Sequence, residues 1–516
     1  MTILIGSPSR GRAAWVALLL ALAAATRFHG LTANAMWADE LFSWRLTTLE
    51  LPDLLRIVAG DVHPPLYFLM LKLVTGIFGD GLIVMRAFSA IPSVLSCGLL
   101  FLFLDRRAGR AVAVAATLIL IASPASIHYA QQIRAYALCE LFAVAVVVTL
   151  FRYVERPDTG RLAVFLLCCT TLGYLHFIGP FVLAGLFILA VWLFITGRIA
   201  RRDLVALVGA MALATACLAP WLWLLLSRSH VVGTQMHVFS GASGVVEAVK
   251  VFVKLLGGFV AVGPALLLWG AGLAWRARTH PAVRLADSDS GTVDLLLVAH
   301  VMALIPFALF ALMGIVGGPF IRLHPAIVAS PWLAVMLAAC LLSLPPRPQR
   351  LIGAIFGLAL GYSALTIPYR LDQVPIPAVL DFAAKERVRM IIAYGDEMAL
   401  TQRFLHRSDI RIVDLRAIPA GLCGDRIAVE IMPRDAAYDA IRHSVTYGLM
   451  APGGQRRSFA LPSELRLVGE KRFPIYNMWK PGVVEVYQLL LFDAPRCRVP
   501  TAAAKAEAAD IGRAYP

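Results

Sequence analysis

Charged residues are scarce in this sequence. Asp, Glu, Lys and Arg make up 15% of its 516 residues, whereas hydrophobic residues make up 59%. A soluble protein of this length needs a charged surface, and these charges are too few to provide one. The apolar residues instead form blocks of roughly 17–25 residues, the length that crosses a membrane. Together with a mean hydropathy of +0.75, this pattern predicts a polytopic membrane protein.

The sequence also lacks the cysteine and histidine spacings that are typical of metal sites. It has eight cysteines and no CxxC pair. Six of them lie in or beside apolar blocks, where cysteine behaves as a small hydrophobic residue. Cys423 and Cys497 lie in the polar C-terminal part, either as a disulfide pair in an oxidising compartment or as two unrelated buried thiols. No cofactor is predicted, and nothing in the pattern indicates a divalent metal.

The net charge of +15 comes from Lys and Arg clusters between the apolar blocks. This distribution follows the positive-inside rule and argues against nucleic-acid binding. Placing the clusters in the cytoplasm predicts about eleven spans, with the N-terminus inside and the C-terminus outside. The predicted spans are approximately 13–26, 86–104, 111–127, 137–153, 162–176, 180–196, 204–226, 249–275, 294–316, 325–343 and 351–368.

The N-terminal apolar run has two interpretations. Arg10 and Arg12 precede residues 13–25, as expected for a first membrane span. The alternative is a secretory signal peptide that is cleaved near residues 33–35, Ala-Asn-Ala. Both interpretations place residue 36 on the outer side.

One apolar stretch, Leu66–Phe78, is only 13 residues long. At about 1.5 Å per residue it cannot cross a hydrocarbon core of about 30 Å. Counting it as a span would also move Arg106, Arg107 and Arg110 to the outer side. It is therefore predicted to lie as an amphipathic or partly inserted helix at the outer interface. The first outer loop then runs from about residue 27 to 85, and loops of that length are usually functional.

The composition changes after Pro368. Predicted strands at 388–394, 410–415 and 483–491 alternate with predicted helices at 378–385 and 437–443. The sequence thus predicts a membrane domain over 1–368 and an extracytoplasmic α/β domain over 369–500. Residues 501–516 are Ala-rich and polar, and we expect a flexible tail.

The first outer loop carries two groups of chemically active residues. Asp39 and Glu40 follow the first span, and three interpretations are open: a helix cap, a metal site or a general base. Further along, two prolines in Asp61-Val62-His63-Pro64-Pro65 form a rigid corner. There His63 can donate to a phosphate oxygen while Asp61 orients its ring. The alternative for His63 is a polar side chain satisfied within the protein.

Cations follow in the later outer loops. Arg134 stands at the head of a span, where it is either a bidentate phosphate contact or an interfacial anchor beside Tyr136. His176 lies at the tip of the 162–196 hairpin. Arg322 precedes the tenth span, on the side where basic residues are disfavoured, and binding an anionic lipid headgroup would explain its presence. Acids and cations are therefore expected to converge on one membrane face.

The order of these motifs resembles a known family. An apolar span is followed by WADE, DVHPPLYF, RAFS and SPASIHYAQQIRAYAL. This order is similar to that of the bacterial GT-C glycosyltransferases of the protein-mannosyltransferase superfamily (glycosyltransferase family 39 type), with their mannosyltransferase and aminoarabinose-transferase relatives. The resemblance covers roughly residues 10–345 and is strongest over 36–140.

The resemblance implies an enzyme that transfers a hexose or pentose from a polyprenyl-phosphate donor, with inversion. The acceptor would be a glycan, lipid or protein of the cell envelope, on the outer face of the cytoplasmic membrane. Asp39 would be the general base, with Glu40 in support. The residues expected to bind substrate and phosphate are Asp61, His63, Arg134, Tyr136, His176 and Arg322.

The sequence departs from this family at Gln132. Relatives often carry an acid just before the position of Arg134, so a two-acid mechanism is weakened and a single base at Asp39 is favoured. Two alternatives remain open: a transporter or flippase of lipid-linked sugar, and a non-catalytic binder of lipid-linked sugar. No clear internal repeat favours a transporter, and the charges cluster at the outer face rather than at mid-membrane.

Overall fold

The computed structural model describes residues 10–61, 63–227, 244–279, 284–285, 293–317, 323–368, 376–393, 397–414, 426–431, 446–450, 456–460, 466–476 and 484–493. The chain is mainly helical. Its helices are α1 Arg10–Phe28, α2 Ala38–Thr48, α3 Leu51–Val58, α4 Leu66–Phe78, α5 Leu82–Arg107, α6 Arg110–Ile121, α7 Pro124–Ala130, α8 Tyr136–Glu155, α9 Thr159–Leu175, α10 Gly179–Ile195, α11 Arg201–Ser227, α12 Gly244–Leu255, α13 Gly258–Thr279, α14 Leu295–Gly317, α15 Leu323–Ala326, α16 Ser330–Ser343, α17 Pro346–Thr366, α18 Ile376–Lys385 and α19 Glu397–Phe404. Its strands are β1 Arg284–Leu285, β2 Val293–Asp294, β3 Val388–Ala393, β4 Arg411–Asp414, β5 Arg426–Ile431, β6 Thr446–Met450, β7 Arg456–Ala460, β8 Arg466–Tyr476 and β9 Val484–Asp493.

The chain divides into two compact units. The membrane unit contains the chain before Asn34 and the segment Phe42–Arg370. The second unit joins the short segment Asn34–Leu41 to the C-terminal part of the chain. Helix α2 begins in the second unit and continues into the membrane unit.

The predicted spans all fall on helices of the membrane unit. Within the described ranges, six helices are long and apolar enough to cross a membrane, namely α1, α5, α8, α11, α13 and α14. A seventh span results if α6 and α7, which meet at a 60° bend, are taken as one. Helices α9 and α10 and the segment Ile327–Ser343 are apolar but shorter. The polytopic architecture is confirmed, whereas the count of eleven spans is not.

The predicted span 249–275 is wrong as a single helix, because two helices occupy it. Helix α12 ends at Leu255 and α13 begins at Gly258. Gly257 between them has φ +101°, a left-handed conformation that favours glycine. A Cβ atom at Gly257 would also lie 2.7 Å from the Cβ of Ala261. The break is therefore a glycine-dependent turn inside a mainly apolar stretch.

The short helix predicted beside the first outer loop is confirmed. Helix α4 covers Leu66–Phe78, with Pro65 at its N-cap and Gly79 at its C-cap. Gly79 has φ +84°, which ends the helix in a conformation suited to glycine. The hairpin of α9 and α10 also breaks where proline predicted it, since Pro180 occupies the first turn of α10.

Helix ends with basic clusters meet at one end of the membrane unit. Asp105 of α5 accepts from Arg12 of α1 at 2.7 Å and pairs with Arg110 of α6. Arg107 of α5 pairs with Glu155 at the end of α8. The end of α1 and the beginnings of α5 and α8 lie at the opposite end. The helices α1, α5, α6 and α8 therefore run alternately up and down, as predicted. Which end faces the cytoplasm stays a prediction.

A buried polar network holds the break between α6 and α7. Arg27 is fully buried, and its guanidinium donates to the carbonyl oxygens of Leu120 at 3.0 Å and Ile121 at 2.6 Å. These carbonyls lie in the last turn of α6, where the regular helical partners end, and that of Leu120 also accepts from the backbone N–H of Ser123 at 3.2 Å. Arg27 also donates to the hydroxyls of Ser93 and Ser126, which in turn donate to Glu140 at 3.3 and 2.6 Å. Two serines therefore bridge a buried cation and a buried carboxyl group.

We expect Arg27→Leu to lower the free energy of unfolding by about 3 kcal/mol, because it leaves buried Glu140 without its cation. Thermal unfolding in detergent would measure the loss. Arg45→Leu, an exposed position on α2, is the matched control and should change stability by less than about 0.5 kcal/mol. Adding Glu140→Leu should restore part of the stability, and a double variant with fully additive losses would contradict the network.

The C-terminal unit contains the predicted α/β structure. Its five-stranded sheet has the order β4-β3-β5-β9-β8, with β3 parallel to β4 and β5 and with β9 antiparallel to β5 and β8. Val379 and Leu380 of α18 pack in one core with Ile391 of β3 and Leu489 of β9. The predicted strands at 388–394, 410–415 and 483–491 correspond to β3, β4 and β9. The predicted helix 437–443 and the tail 501–516 lie outside the described residues.

Candidate active site

Asp39 and Glu40 lie in the first turn of α2. The backbone N–H groups of Glu40 and Leu41 both donate to the carbonyl of Trp37, which marks the beginning of the helix. Asp39 is therefore inside the first turn and does not occupy the capping position. Glu40 is buried, and Asp39 is half-buried. Acidic residues in a first turn interact favourably with the positive end of the helix dipole.

The corner before α4 brings His63 and Asp61 into contact. His63 Nδ1 lies 3.0 Å from a carboxylate oxygen of Asp61, and both side chains are about one-fifth exposed. Since the carboxylate can only accept, Nδ1 carries the proton and donates to it. Asp61 therefore orients the ring of His63, as the motif predicted. The second ring nitrogen, Nε2, makes no contact with this carboxylate.

Arg134 stands on the turn that precedes α8. Its backbone N–H donates to the carbonyl of Gln132 at 2.8 Å, and its guanidinium is buried. Arg134 Nη2 lies 2.9 Å from His63 Nε2, and Nη1 lies 3.5 Å from the hydroxyl of Ser43 on α2. The turn, the corner and α2 thus meet at one guanidinium.

The contact between Arg134 and His63 involves both nitrogens of the imidazole ring. Nη2 of Arg134 lies 2.9 Å from Nε2 and 3.4 Å from Nδ1 of His63, so the guanidinium stands against the ring. In this arrangement His63 holds Arg134, and Arg134 carries the positive charge of the cluster.

Two further predicted residues complete the same cluster. The ring of His176, which follows α9, lies 5.3 Å from the ring of His63 and 5.9 Å from the ring of Tyr136. Nδ1 of His176 accepts from the N–H of Ile178 at 3.2 Å, so neutral His176 carries its proton on Nε2. The Arg134 guanidinium stands 5.9 Å from the centre of the Tyr136 ring, within reach of a cation–π contact.

We expect His63→Ala to lower sugar transfer about 10- to 100-fold, because Arg134 loses an acceptor that orients its charge. Initial rates in membrane preparations, normalised to protein amount, would measure the loss. His29→Ala in the same loop is exposed and is the control. Asp61→Ala added to His63→Ala should cost little more, since Asp61 acts through His63. If the activity losses of Asp61→Ala and His63→Ala multiplied in the double variant, Asp61 would not act through His63.

Gln132 lies beside a histidine that the motifs did not single out. Its amide Nε2 is 2.7 Å from Nε2 of His128, and both side chains are buried. The amide nitrogen donates, and His128 accepts. The Gln132 Oε1 atom is buried and has no hydrogen-bond partner within the described part of the chain. An amide that donates to a neutral imidazole therefore occupies the place where relatives often carry an acid.

The structure brings together five of the predicted site residues in the membrane unit: Asp61, His63, Arg134, Tyr136 and His176. Arg322, Cys423 and Cys497 lie outside the described residues. Sequence reasoning missed Ser43 and His128. Helical spacing could have indicated Ser43, which follows Asp39 by four residues. His128 had no such signal, because its contact depends on the bend between α6 and α7.

The described residues contain no group of three or more His, Cys, Asp and Glu side chains that could hold a metal ion. The expectation that no metal takes part stays a prediction.

A family model supports the resemblance drawn from the motifs. The model described as dolichyl-phosphate-mannose-protein mannosyltransferase matches residues 62–224. This range includes His63, Arg134 and His176 and ends within α11. Among curated proteins, none matches the sequence at a significant level.

Solved structures with the same architecture cover nearly the whole chain. The crystal structure of ArnT from Cupriavidus metallidurans bound to undecaprenyl phosphate is 14% identical, with a TM-score of 0.52. The apo structure of the same protein is 14% identical, with a TM-score of 0.53. Each match covers 93% of this chain and 98% of the other. The chain is a multi-pass membrane protein with the GT-C fold, and its resemblance to the protein-mannosyltransferase superfamily is confirmed.

Proposed function

We propose that the protein is a membrane glycosyltransferase that moves a sugar from a polyprenyl-phosphate donor to a cell-envelope acceptor. The buried guanidinium of Arg134, held by His63 and Ser43, carries the proposal. A preorganised cation in a site sheltered from water stabilises the charge that develops on a departing phosphate. The GT-C fold supports the same reaction class.

Helix α8 adds to this phosphate site. Its N-cap, Ala135, provides no side-chain cap, and its first turn contains no acidic residue. The positive end of the helix dipole at a helix beginning favours an anion, and Arg134 lies two residues before α8. The donor phosphate would bind between Arg134 and this helix end, with the ring N–H at Nε2 of His176 as a further donor. His63 and Asp61 are positioning residues for Arg134 in this scheme, and Arg322 is retained as a proposed phosphate contact.

Asp39 is the proposed general base. It stands four residues before Ser43 on α2, and residues four apart share a helix face. Asp39 would remove the proton of the acceptor hydroxyl as this oxygen attacks the anomeric carbon. The bond from that carbon to the phosphate oxygen breaks, and the lipid phosphate leaves with the electron pair. A single displacement of this kind inverts the anomeric configuration, and Glu40 supports the base.

The proposed location of the reaction rests on the predicted topology. We propose that the reaction takes place at the outer face of the cytoplasmic membrane, where the first loop and the 369–500 domain are expected. This domain would select the glycan, lipid or protein acceptor. Transport of lipid-linked sugar and binding without turnover remain the rival functions.

Mass spectrometry of envelope glycans, lipids and proteins from a strain that lacks the protein would test the function. The expected result is one missing glycosyl group that returns with the wild-type protein and does not return with Asp39→Asn. A transporter would instead need no carboxylate at residue 39, so full restoration by Asp39→Asn would favour that rival. Accumulated donor lipid without a missing product would also contradict transfer.

A further inference from the structure

A cavity lies at the end of the membrane unit that is remote from Arg134. This cavity of about 430 Å³ is formed between α1, α5 and α8. Its walls are apolar and include Leu20, Leu99 and Val148. Its volume falls in the range of about 300–1,000 Å³ typical of small-molecule sites. Apolar walls of this kind suit a hydrocarbon chain and do not suit a free phosphate or a sugar.

One end of the cavity is strongly basic. Arg106, Arg107 and Arg152 line it together with a single acid, Glu155. Glu155 pairs with Arg107, so its charge is already balanced. Within the described part of the chain, Arg106 makes no ion pair, and its side chain is exposed. The cavity therefore joins apolar walls to an excess of positive charge, which is complementary to an anionic headgroup on a hydrocarbon chain.

The basic end is far from the proposed reaction site. Arg134 stands just before α8, and Arg152 lies near the end of the same helix. Eighteen residues at about 1.5 Å each separate them by about 27 Å, close to the thickness of the hydrocarbon core. A phosphate held at Arg152 would therefore lie in the other leaflet and could not be the reacting phosphate of a donor bound at Arg134.

We propose that this cavity binds an anionic glycerophospholipid from the leaflet at the basic end. Its phosphate binds between Arg106 and Arg152, and one acyl chain fills the apolar part between the three helices. Guanidinium groups bind phosphate oxygens in a bidentate manner, and basic pockets between membrane helices favour anionic headgroups. Lipid bound there connects α1 to α5 and α8, and it stabilises the folded state by an amount that grows with the logarithm of the free lipid concentration once this exceeds Kd.

Native mass spectrometry of the full chain in detergent would test this site, with phosphatidylglycerol and phosphatidylcholine of identical acyl chains as probes. We expect phosphatidylglycerol to bind more tightly. Arg106→Gln with Arg152→Gln should weaken its binding about thirtyfold. The matched control is Arg201→Gln with Arg202→Gln, which removes two exposed charges at the start of α11 and should leave binding unchanged.

A second variant tests the apolar part without changing charge. Leu99→Trp fills the cavity and should weaken phosphatidylglycerol binding at least about tenfold, provided that elution volume and lipid-free melting match the wild type. Equal binding of both lipids would overturn the site, and so would equal losses in the two arginine double variants. Displacement of phosphatidylglycerol by equimolar undecaprenyl phosphate, with the same dependence on Arg106 and Arg152, would assign the cavity to a donor-type lipid and also overturn the proposal.

Discussion

Asp39→Asn is expected to abolish sugar transfer while the membrane protein stays folded. Asparagine has nearly the shape of aspartate but cannot take the proton from an acceptor hydroxyl. General-base catalysis contributes about 10²- to 10⁴-fold to a rate, so the transfer rate of Asp39→Asn should be lower than that of the wild type by this factor. Initial rates in membranes with equal amounts of protein, compared with the wild type, would measure it.

The loop supplies a matched acid as the control. Asp53 on α3 is about half exposed and pairs with Arg56, so Asp53→Asn should leave transfer within twofold. Glu40→Gln should cost less than Asp39→Asn, because Glu40 is proposed only to support the base. If Asp39→Asn kept more than a tenth of the wild-type activity, Asp39 would not be the base, even if the chain still proved to be a glycosyltransferase.

Arg134→Gln is expected to lower transfer about 10²- to 10³-fold. Removing one preorganised donor to a developing negative charge typically costs this much. Because the lost interaction is strongest with the departing phosphate, kcat should fall more than the apparent affinity for the donor lipid. Donor titration of initial rates would separate the two effects.

Arginine chemistry and simple charge can be separated at this position. Arg134→Lys keeps the charge but loses the planar fork that reaches both His63 and Ser43, so it should rescue only part of the activity. Arg56→Gln is the control, since its side chain is 77% exposed on α3 of the same loop. If Arg134→Lys were fully active, a positive charge at this position would be sufficient and the guanidinium shape would not matter. If Arg134→Gln were fully active, Arg134 would have no part in the reaction.

Local sequence rules predicted several elements to within a few residues. The bounds of α4 agree because an apolar run between Pro65 and Gly79 has clear start and stop signals. The agreement of β3 and β9 has a similar reason, since short apolar runs between polar segments are typical of buried strands. The convergence of Asp61 and His63 followed from their proximity in the chain and the two prolines after them.

Helix breaks inside apolar stretches escaped prediction. The turn at Gly257 and the 60° bend between α6 and α7 both interrupt stretches that were each predicted as one span. Hydropathy records only the preference of side chains for lipid, and it does not record where backbone carbonyls find other partners. At the second break those partners include the guanidinium of Arg27, which comes from a helix about a hundred residues earlier.

The sequence by itself determined the membrane class, the short helix α4, the α/β character of the C-terminal part and the residue types of the candidate site. These depend on apolar block length, local turn residues and short motifs. The tertiary structure alone decided that Arg134 contacts His63, 71 residues away. It also decided that Arg27 and Glu140 share one buried network. Such partnerships depend on how helices pack, because a buried polar group must find partners wherever the packed helices bring them close.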